Sequence, residues 1–295
     1  MDLGPSAVHP PSPHLTLEPQ SKAGNPDAGV VAWRPKLPPP AYGWFTGRTG
    51  GVSGAAWCSL NLAYHVQDAP EAVRLNRARV QAALSLPVVP WITAEQVHGP
   101  RVALIRQAPV RTVTGEYAVV RGVDGLITTL ADQPLALFFA DCVPLFFAAR
   151  GVVGVAHAGW RGTWQGIARQ MIQLLTEGLG IPVEDLWVAL GPAIGPCCYT
   201  VDGALWNAFR RRFGRVATPR PTVLDLRAAN RELCLEMGVP PAQIEVCPDC
   251  TACQAERYFS HRREGYPTGR MAALVMQSSE GRQGSPLGLP NPPQG

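Results

Sequence analysis

The chain has 295 residues, 46% hydrophobic and 16% charged, with a net charge of +4. That composition fits a globular protein with a sparse charged surface and excludes wholesale disorder, collagen and coiled coil. The longest apolar run, Leu135 to Ala149, is broken by Asp141 and falls short of the roughly 18 residues of a membrane span. The opening Met1-Asp2-Leu3-Gly4-Pro5 lacks the basic and apolar regions of an export signal, so a soluble, cytoplasmic protein is expected. The only lysines, Lys22 and Lys36, lie near the N-terminus. No P-loop, kinase strand lysine or Schiff-base amine can be built from the rest. The arginines form only short clusters such as Arg210-Arg211-Arg212, which does not support nucleic-acid binding.

Residues 1–40 hold ten of the thirty prolines, and residues 278–295 hold four more among Gly, Ser and Gln. Segments 1–41 and 278–295 therefore read as disordered tails around one domain over 42–277. Within it, Asp68-Ala69-Pro70-Glu71 predicts a helix to about Leu84, with the acid as cap and proline in the first turn. Apolar runs predict strands at Trp91–Val97, Val102–Ile105, Gly125–Thr129, Leu135–Ala140, Pro144–Ala148 and Val152–Ala156. A helix over Thr163–Glu177 stops at Gly178, and a strand follows at Leu186–Leu190. Helices at 201–213 and 225–237 and strands at 243–247 and 271–276 complete the domain. Continuously apolar strands predict a sheet covered on both faces, so the expected fold is α/β: a single layered α/β/α domain with a mixed β-sheet.

Eight cysteines without an export signal point to thiols or metal ligands rather than disulfides. Of six histidines, His9 and His14 fall in the tail, leaving His65, His98, His157 and His261. Polar, metal-competent residues end apolar strands at three places: Glu95-Gln96-Val97-His98-Gly99, Ala140-Asp141-Cys142, and His157-Ala158-Gly159-Trp160-Arg161-Gly162. Strand ends are where α/β folds place their sites. Singly, each has a structural explanation: a hydrogen-bonded histidine, an inert thiol, a turn-capping aspartate. Together, His98, Cys142 and His157 match a catalytic zinc set that leaves a fourth position for water. Spacing alone leaves open whether they converge.

Gln96-Val97-His98-Gly99, Asp124-Gly125, Ala140-Asp141-Cys142-Val143-Pro144 and the run from His157 to Gly162 resemble the motifs of one family. So do Gly191-Pro192-Ala193-Ile194-Gly195, Cys250-Thr251 and Phe259-Ser260-His261-Arg262-Arg263, and Thr46 to Ser53 with Ser59-Leu60-Asn61 resembles its opening segment. This is the purine nucleoside phosphorylase family also described as polyphenol-oxidase or laccase-domain proteins, and the likeness covers about residues 42–276. Glu264, where members more usually have aspartate, and Gly47, which separates Thr46 from Arg48, depart from the pattern. The resemblance implies zinc held by His98, Cys142 and His157. It also implies phosphorolysis of adenosine, inosine, guanosine and S-methyl-5'-thioadenosine, with hydrolytic deamination of adenosine. Zinc-activated water suits deamination, whereas phosphorolysis needs a cation for phosphate. Arg161 is the first candidate for that cation and Arg48 the second. Asn61, Gln96 and Asp141 are candidates for substrate binding, and Asn61 and Gln96 could equally be structural.

Copper oxidase chemistry needs roughly ten histidines, which four domain histidines cannot supply, so copper is not the expected physiological metal. Cys247, Cys250 and Cys253 lack the next cysteine of a ferredoxin run, where Arg257 stands, and read first as structural thiols, with a second metal completed by a distant ligand such as Cys234, or a disulfide, left open. Cys197-Cys198 reads as packing beside a glycine turn. Two other functions stay open. One is a cysteine hydrolase with Cys142 as nucleophile, His157 as base and Asp141 or another acid as orienter. The other is a non-catalytic protein whose zinc only braces the fold.

Overall fold

The computed structural model of the protein describes residues 15–16, 29–108 and 117–279. In chain order its strands are β1 (Leu15–Thr16), β2 (Val31–Trp33), β3 (Ala41–Thr46), β4 (Trp91–Ala94), β5 (Val102–Ile105), β6 (Tyr117–Val120) and β7 (Gly125–Thr128). They continue as β8 (Leu135–Phe139), β9 (Val143–Ala149), β10 (Val152–Ala158), β11 (Trp187–Leu190), β12 (Ile244–Val246) and β13 (Met271–Gln277). The α-helices are α1 (Pro70–Ala83), α2 (Trp160–Gln165), α3 (Ile167–Gln173), α4 (Gly203–Ala217), α5 (Leu226–Glu236) and α6 (His261–Glu264).

The fold is mixed α/β, and the strands divide between two sheets rather than one. The first runs β1-β2-β3-β13-β8-β4-β6 and the second β12-β11-β9-β10-β7-β5. Each mixes parallel pairs, such as β4 with β8 and β11 with β12, with antiparallel ones. The period-two alternation of side chains explains the layering. On β8, Leu135, Leu137 and Phe139 enter a core shared with Phe146, Val153 and Val155 of the second sheet. The intervening Ala136 and Phe138 enter a separate core with Val80 of α1. On β9, Val143, Leu145 and Phe147 face Met171 of α3, Phe209 of α4 and Leu233 of α5. Both faces of the central strands are covered, as their continuous apolarity requires, but one cover of each sheet is the other sheet.

Several expected boundaries shift for identifiable reasons. Val31–Trp33 pairs with β3, and Trp33 is 3% exposed against the Phe146 ring, so the folded body reaches past the proline-rich stretch toward the N-terminus. The rest of the expected tails, residues 1–14, 17–28 and 280–295, lies outside the described residues. The expected helix over Thr163–Glu177 is broken at Gly166, whose φ of +82° is costly for any side chain, and its last turn, Leu174–Gly178, is a π-helix. Asp68 does not cap α1: its carboxylate accepts from Ser53 Oγ and Asn61 Nδ2. Asp202 and Asp225 do cap α4 and α5, accepting from the N–H groups of Leu205 and Ala228.

Pairing directions also fix where the loops gather. The C-terminal ends of β4, β6 and β8 lie together, because β4 is parallel to both neighbours. From that end three connections, β4–β5, β6–β7 and β8–β9, cross from the first sheet to the second. The end of β10 meets them there, since His157 pairs with Pro144 and Ala158 with Val143.

Candidate metal centre

These crossings carry the chemistry. His98 follows β4, Asp124 precedes β7, Cys142 lies between β8 and β9, and His157 stands inside β10 rather than beyond it. His98, Cys142 and His157 offer one donor atom each, all within 4.8 Å of one another. The two imidazoles meet edge to face with ring centroids 4.8 Å apart. Gly159 sits against them: a Cβ there would lie 3.1 Å from Cys142 Sγ and 3.3 Å from His98 Cδ2. The missing side chain leaves room beside the donors.

Asp124 organises the cluster, and sequence reasoning did not single it out as a site residue. Its side chain is fully buried and accepts from the backbone N–H groups of His98 at 2.9 Å and Gly99 at 2.8 Å. Its Oδ1 also lies 2.9 Å from His157 Nδ1. This contact keeps a proton on Nδ1 and turns Nε2 toward the other donors. Burial would raise the Asp124 carboxyl, but the hydrogen bonds from His157, Gly99 and His98 outweigh it and hold it low. The available signal was an acid immediately before a strand glycine, which is also what an ordinary turn looks like.

Burial would likewise raise the Cys142 thiol, yet the charge of His157 and hydrogen bonds from both histidines bring it down to about 6. His157 is raised to about 9: burial opposes its charge, while the Cys142 thiolate and Asp124 favour it more strongly. A thiolate and two imidazoles are a soft, borderline donor set suited to a tetrahedral ion with one open position. In metal-stripped protein, alkylation of Cys142 is expected to rise through pH about 6, well below the roughly 8.5 of a free thiol. Below that pH the thiol is protonated and labelling slows, which peptide-resolved mass spectrometry over a pH series would follow.

The remaining site expectations divide. Arg161, in the first turn of α2, is exposed, lies 4.7 Å over the Trp160 ring, and has no hydrogen-bond acceptor among the described residues. Arg48 is not available to a ligand. Its guanidinium donates to Glu264 Oε1 at 2.6 Å and to the carbonyls of Ala255 and Cys58, and lies over the Phe259 ring. Burial would raise Glu264, but hydrogen bonds from Thr268, Arg263 and Arg48 hold it down to about 2. Arg48→Ala is therefore expected to cost about 1 kcal/mol and lower Tm by about 2–4 °C. Thermal melts of the two proteins on matched preparations would establish the loss.

Asn61, Gln96 and Asp141 are likewise spent on the protein itself. Asn61 donates to Ala63 O and Asp68 Oδ2 and accepts from the N–H groups of Ala63 and Arg270. Gln96 clamps both backbone groups of Phe138 at 2.8 Å. Asp141, at φ +93°, accepts from Thr251 Oγ1 and the Arg262 N–H, each at 2.7 Å. These hydrogen bonds hold the chain's own loops and leave little capacity for a substrate. Arg270 was missed. Burial lowers its pKa, while the charges of Cys142 and Asp141 act against that, so this cation is coupled electrostatically to the cluster. A cleft of ≈ 420 Å³, walled by Trp160, Tyr199, Leu205 and Arg262, opens where α2 begins, just past Gly159; His98, Cys142 and His157 do not line it.

The architecture and the cluster define an α/β protein with three convergent Cys/His donors, able to hold a metal ion, between two sheets. Residues 43–278 match the family described as multi-copper polyphenol oxidoreductase laccase, and the chain belongs to this family of enzymes. It is 42% identical over 255 residues to purine nucleoside phosphorylase YlmD of Geobacillus stearothermophilus, covering 82% of this chain and 93% of that one. It is 33% identical over 239 residues to adenosine deaminase RL5 from an unknown prokaryotic organism, covering 77% and 90%. The crystal structure of Geobacillus YlmD superposes with a TM-score of 0.74 at 40% identity, covering 82% of this chain and 94% of that one. Among the described residues no helix is long and apolar enough to cross a membrane.

Proposed function

We propose that this chain is a cytoplasmic, zinc-dependent purine nucleoside phosphorylase that accepts adenosine, inosine, guanosine and S-methyl-5'-thioadenosine and also deaminates adenosine. The observation that carries the reading is the convergence of His98, Cys142 and His157, with Gly159 against them and Trp160, the next residue, lining a partly aromatic cleft. The relatives named as a phosphorylase and a deaminase support both reactions at one site. Zinc is favoured over copper because one thiolate and two imidazoles suit a single tetrahedral ion. His98, Cys142 and His157 would hold it. When bound, zinc supplies Lewis acidity, which acidifies water and polarises an atom under attack.

The chain's own residues do the rest. Asp124 fixes the tautomer and aim of His157. Trp160 and Tyr199 line the cleft as the aromatic surface for a purine, and Arg161 supplies an unpaired cation for phosphate. One observation favours a second reading. Asp124, His157 and Cys142 also follow the order of an orienter, base and thiolate nucleophile, with Asp124 in the place expected of Asp141.

Metal analysis and turnover separate the two. The phosphorylase should convert inosine to hypoxanthine and ribose 1-phosphate only when phosphate is present, with zinc at the Cys142 site. A metal-free protein whose Cys142 is alkylated during inhibition, and which turns over no nucleoside, would establish the hydrolase instead.

A further inference from the structure

Four of the remaining cysteines are far apart in sequence and adjacent in the fold. Parallel pairing of β11 with β12 aligns Leu190 with Val246, so the loops that follow leave the sheet side by side. They stay in contact: Thr251 N–H donates to Ala193 O at 3.1 Å, and Ala193 bridges Cys250. The first loop carries Cys197-Cys198 and the second Cys250-Thr251-Ala252-Cys253. All four sulfurs lie within 4.8 Å of one another.

We propose that Cys197, Cys198, Cys250 and Cys253 bind one zinc ion in a closed structural site, separate from His98, Cys142 and His157. A tetrahedral ion with Zn–S bonds of about 2.3 Å sets its sulfurs about 3.8 Å apart. Cys253 Sγ is 3.4 Å from the sulfurs of both Cys197 and Cys198, close to that spacing. The cluster has room for one ion and not for a multi-iron cage, whose thiolates stand further apart. Nor does the geometry single out a disulfide. Cys253 is equidistant from two partners, and 3.4 Å is far from the roughly 2.05 Å of an S–S bond.

The backbone around the cluster favours a thiolate at Cys250 and lets the loops close. The Gly195 N–H donates to Cys250 Sγ at 3.2 Å, and a Cβ on Gly195 would stand 3.3 Å from Cys197 Sγ, so this glycine lets the loops close. Arg227 is buried beneath them and donates to the carbonyls of Cys247 and Asp249. Burial would raise Cys250, but the N–H groups of Gly195 and Cys253 pull it below the ordinary thiol range. Cys197 is pushed up to about 12, first by burial and then by its thiol neighbours. Cys198 and Cys253 are raised to about 11 as well, burial being the largest cause, so these three thiols keep their protons until a cation enters, when the protons pass to solvent.

With four sulfur ligands no position is left for substrate, so the ion's role is to brace. The loops it joins carry Tyr199 beside Cys198, and Thr251, whose hydroxyl holds Asp141. Arg262 adds a third tie, donating to Thr200 O at 2.8 Å. The brace thus holds one wall of the cleft.

The test is metal stoichiometry by mass spectrometry on full-length protein purified under reducing conditions without added metal. Two zinc ions per chain are expected, one remaining in the double variant Cys250→Ser/Cys253→Ser and one in Cys142→Ala. One ion in the wild type, retained by Cys142→Ala and lost in the double variant, supports this site while rejecting zinc at Cys142. Metal content unchanged in the double variant overturns the proposal. Should that variant not fold, iodoacetamide labelling of the wild type decides. Exposed Cys197 and Cys253 should resist labelling until a chelator is added, while exposed Cys58 labels throughout. Labelling at the rate of Cys58 without chelator overturns the proposal, and so does protection that yields only to reductant.

Discussion

Cys142→Ala is expected to abolish both phosphorolysis and deamination and to empty the three-donor site. Cys142 is the only anionic donor there, and two neutral imidazoles rarely retain a tetrahedral ion alone. Asp124→Asn should give a graded version of the same loss. It keeps the shape but weakens the contact that orients His157, a change that typically costs about 10–100-fold in metal affinity. Metal content, competition with a chromophoric chelator and turnover on the same preparations would compare the two variants. The order Cys142→Ala worse than Asp124→Asn, with near-native circular dichroism in both, is the expected result. Metal retained by Cys142→Ala at the wild-type stoichiometry would show that Cys142 is no ligand and return the site to the thiol-nucleophile reading.

How much of this could be read from the sequence depends on whether a signal is local. The apolar runs that became β5, β8, β9 and β10 are local, and their positions hold to within a residue or two. His98, Cys142 and His157 were recognisable because imidazoles are scarce and each ends a greasy run. The two-sheet arrangement was not legible, since a strand covered by helices and one covered by a second sheet carry the same apolar sequence. Trp33 was hidden among prolines that dominate the composition around it. Asp124 and the four-cysteine cluster share another obstacle: each depends on which loops the strand pairing brings together. Asn61, Gln96 and Arg48 show the reverse case. Polar groups beside glycine turns look alike whether they bind a substrate or the chain's own backbone, and only their partners, Phe138, Asp68 and Glu264, tell them apart.

Arg161→Ala is expected to slow phosphorolysis by roughly a hundredfold at limiting phosphate, about 2–3 kcal/mol, as suits one charge-assisted anion contact. Adenosine deamination, which has no anionic second reactant, should change by less than about threefold. The asymmetry follows from the position of Arg161. It stands on the turn beyond Gly159, its guanidinium rests on Trp160, and nothing among the described residues neutralises it. A phosphate binding there would form ion-paired hydrogen bonds without first breaking others. The effect should appear mainly as a raised KM for phosphate if the contact forms in the ground state, and in kcat if it forms only as charge develops. Equal losses in both reactions would mean that Arg161 positions the nucleoside or supports the turn after His157. Undiminished phosphorolysis would move the role to Arg270 rather than Arg48. Arg48 is already bound to Glu264, whereas Arg270 spends Nη1 on the carbonyls of Thr268 and Gly269 and feels the charges of Cys142 and Asp141. Arg270→Ala, measured under the same conditions, would then carry the phosphate-dependent loss.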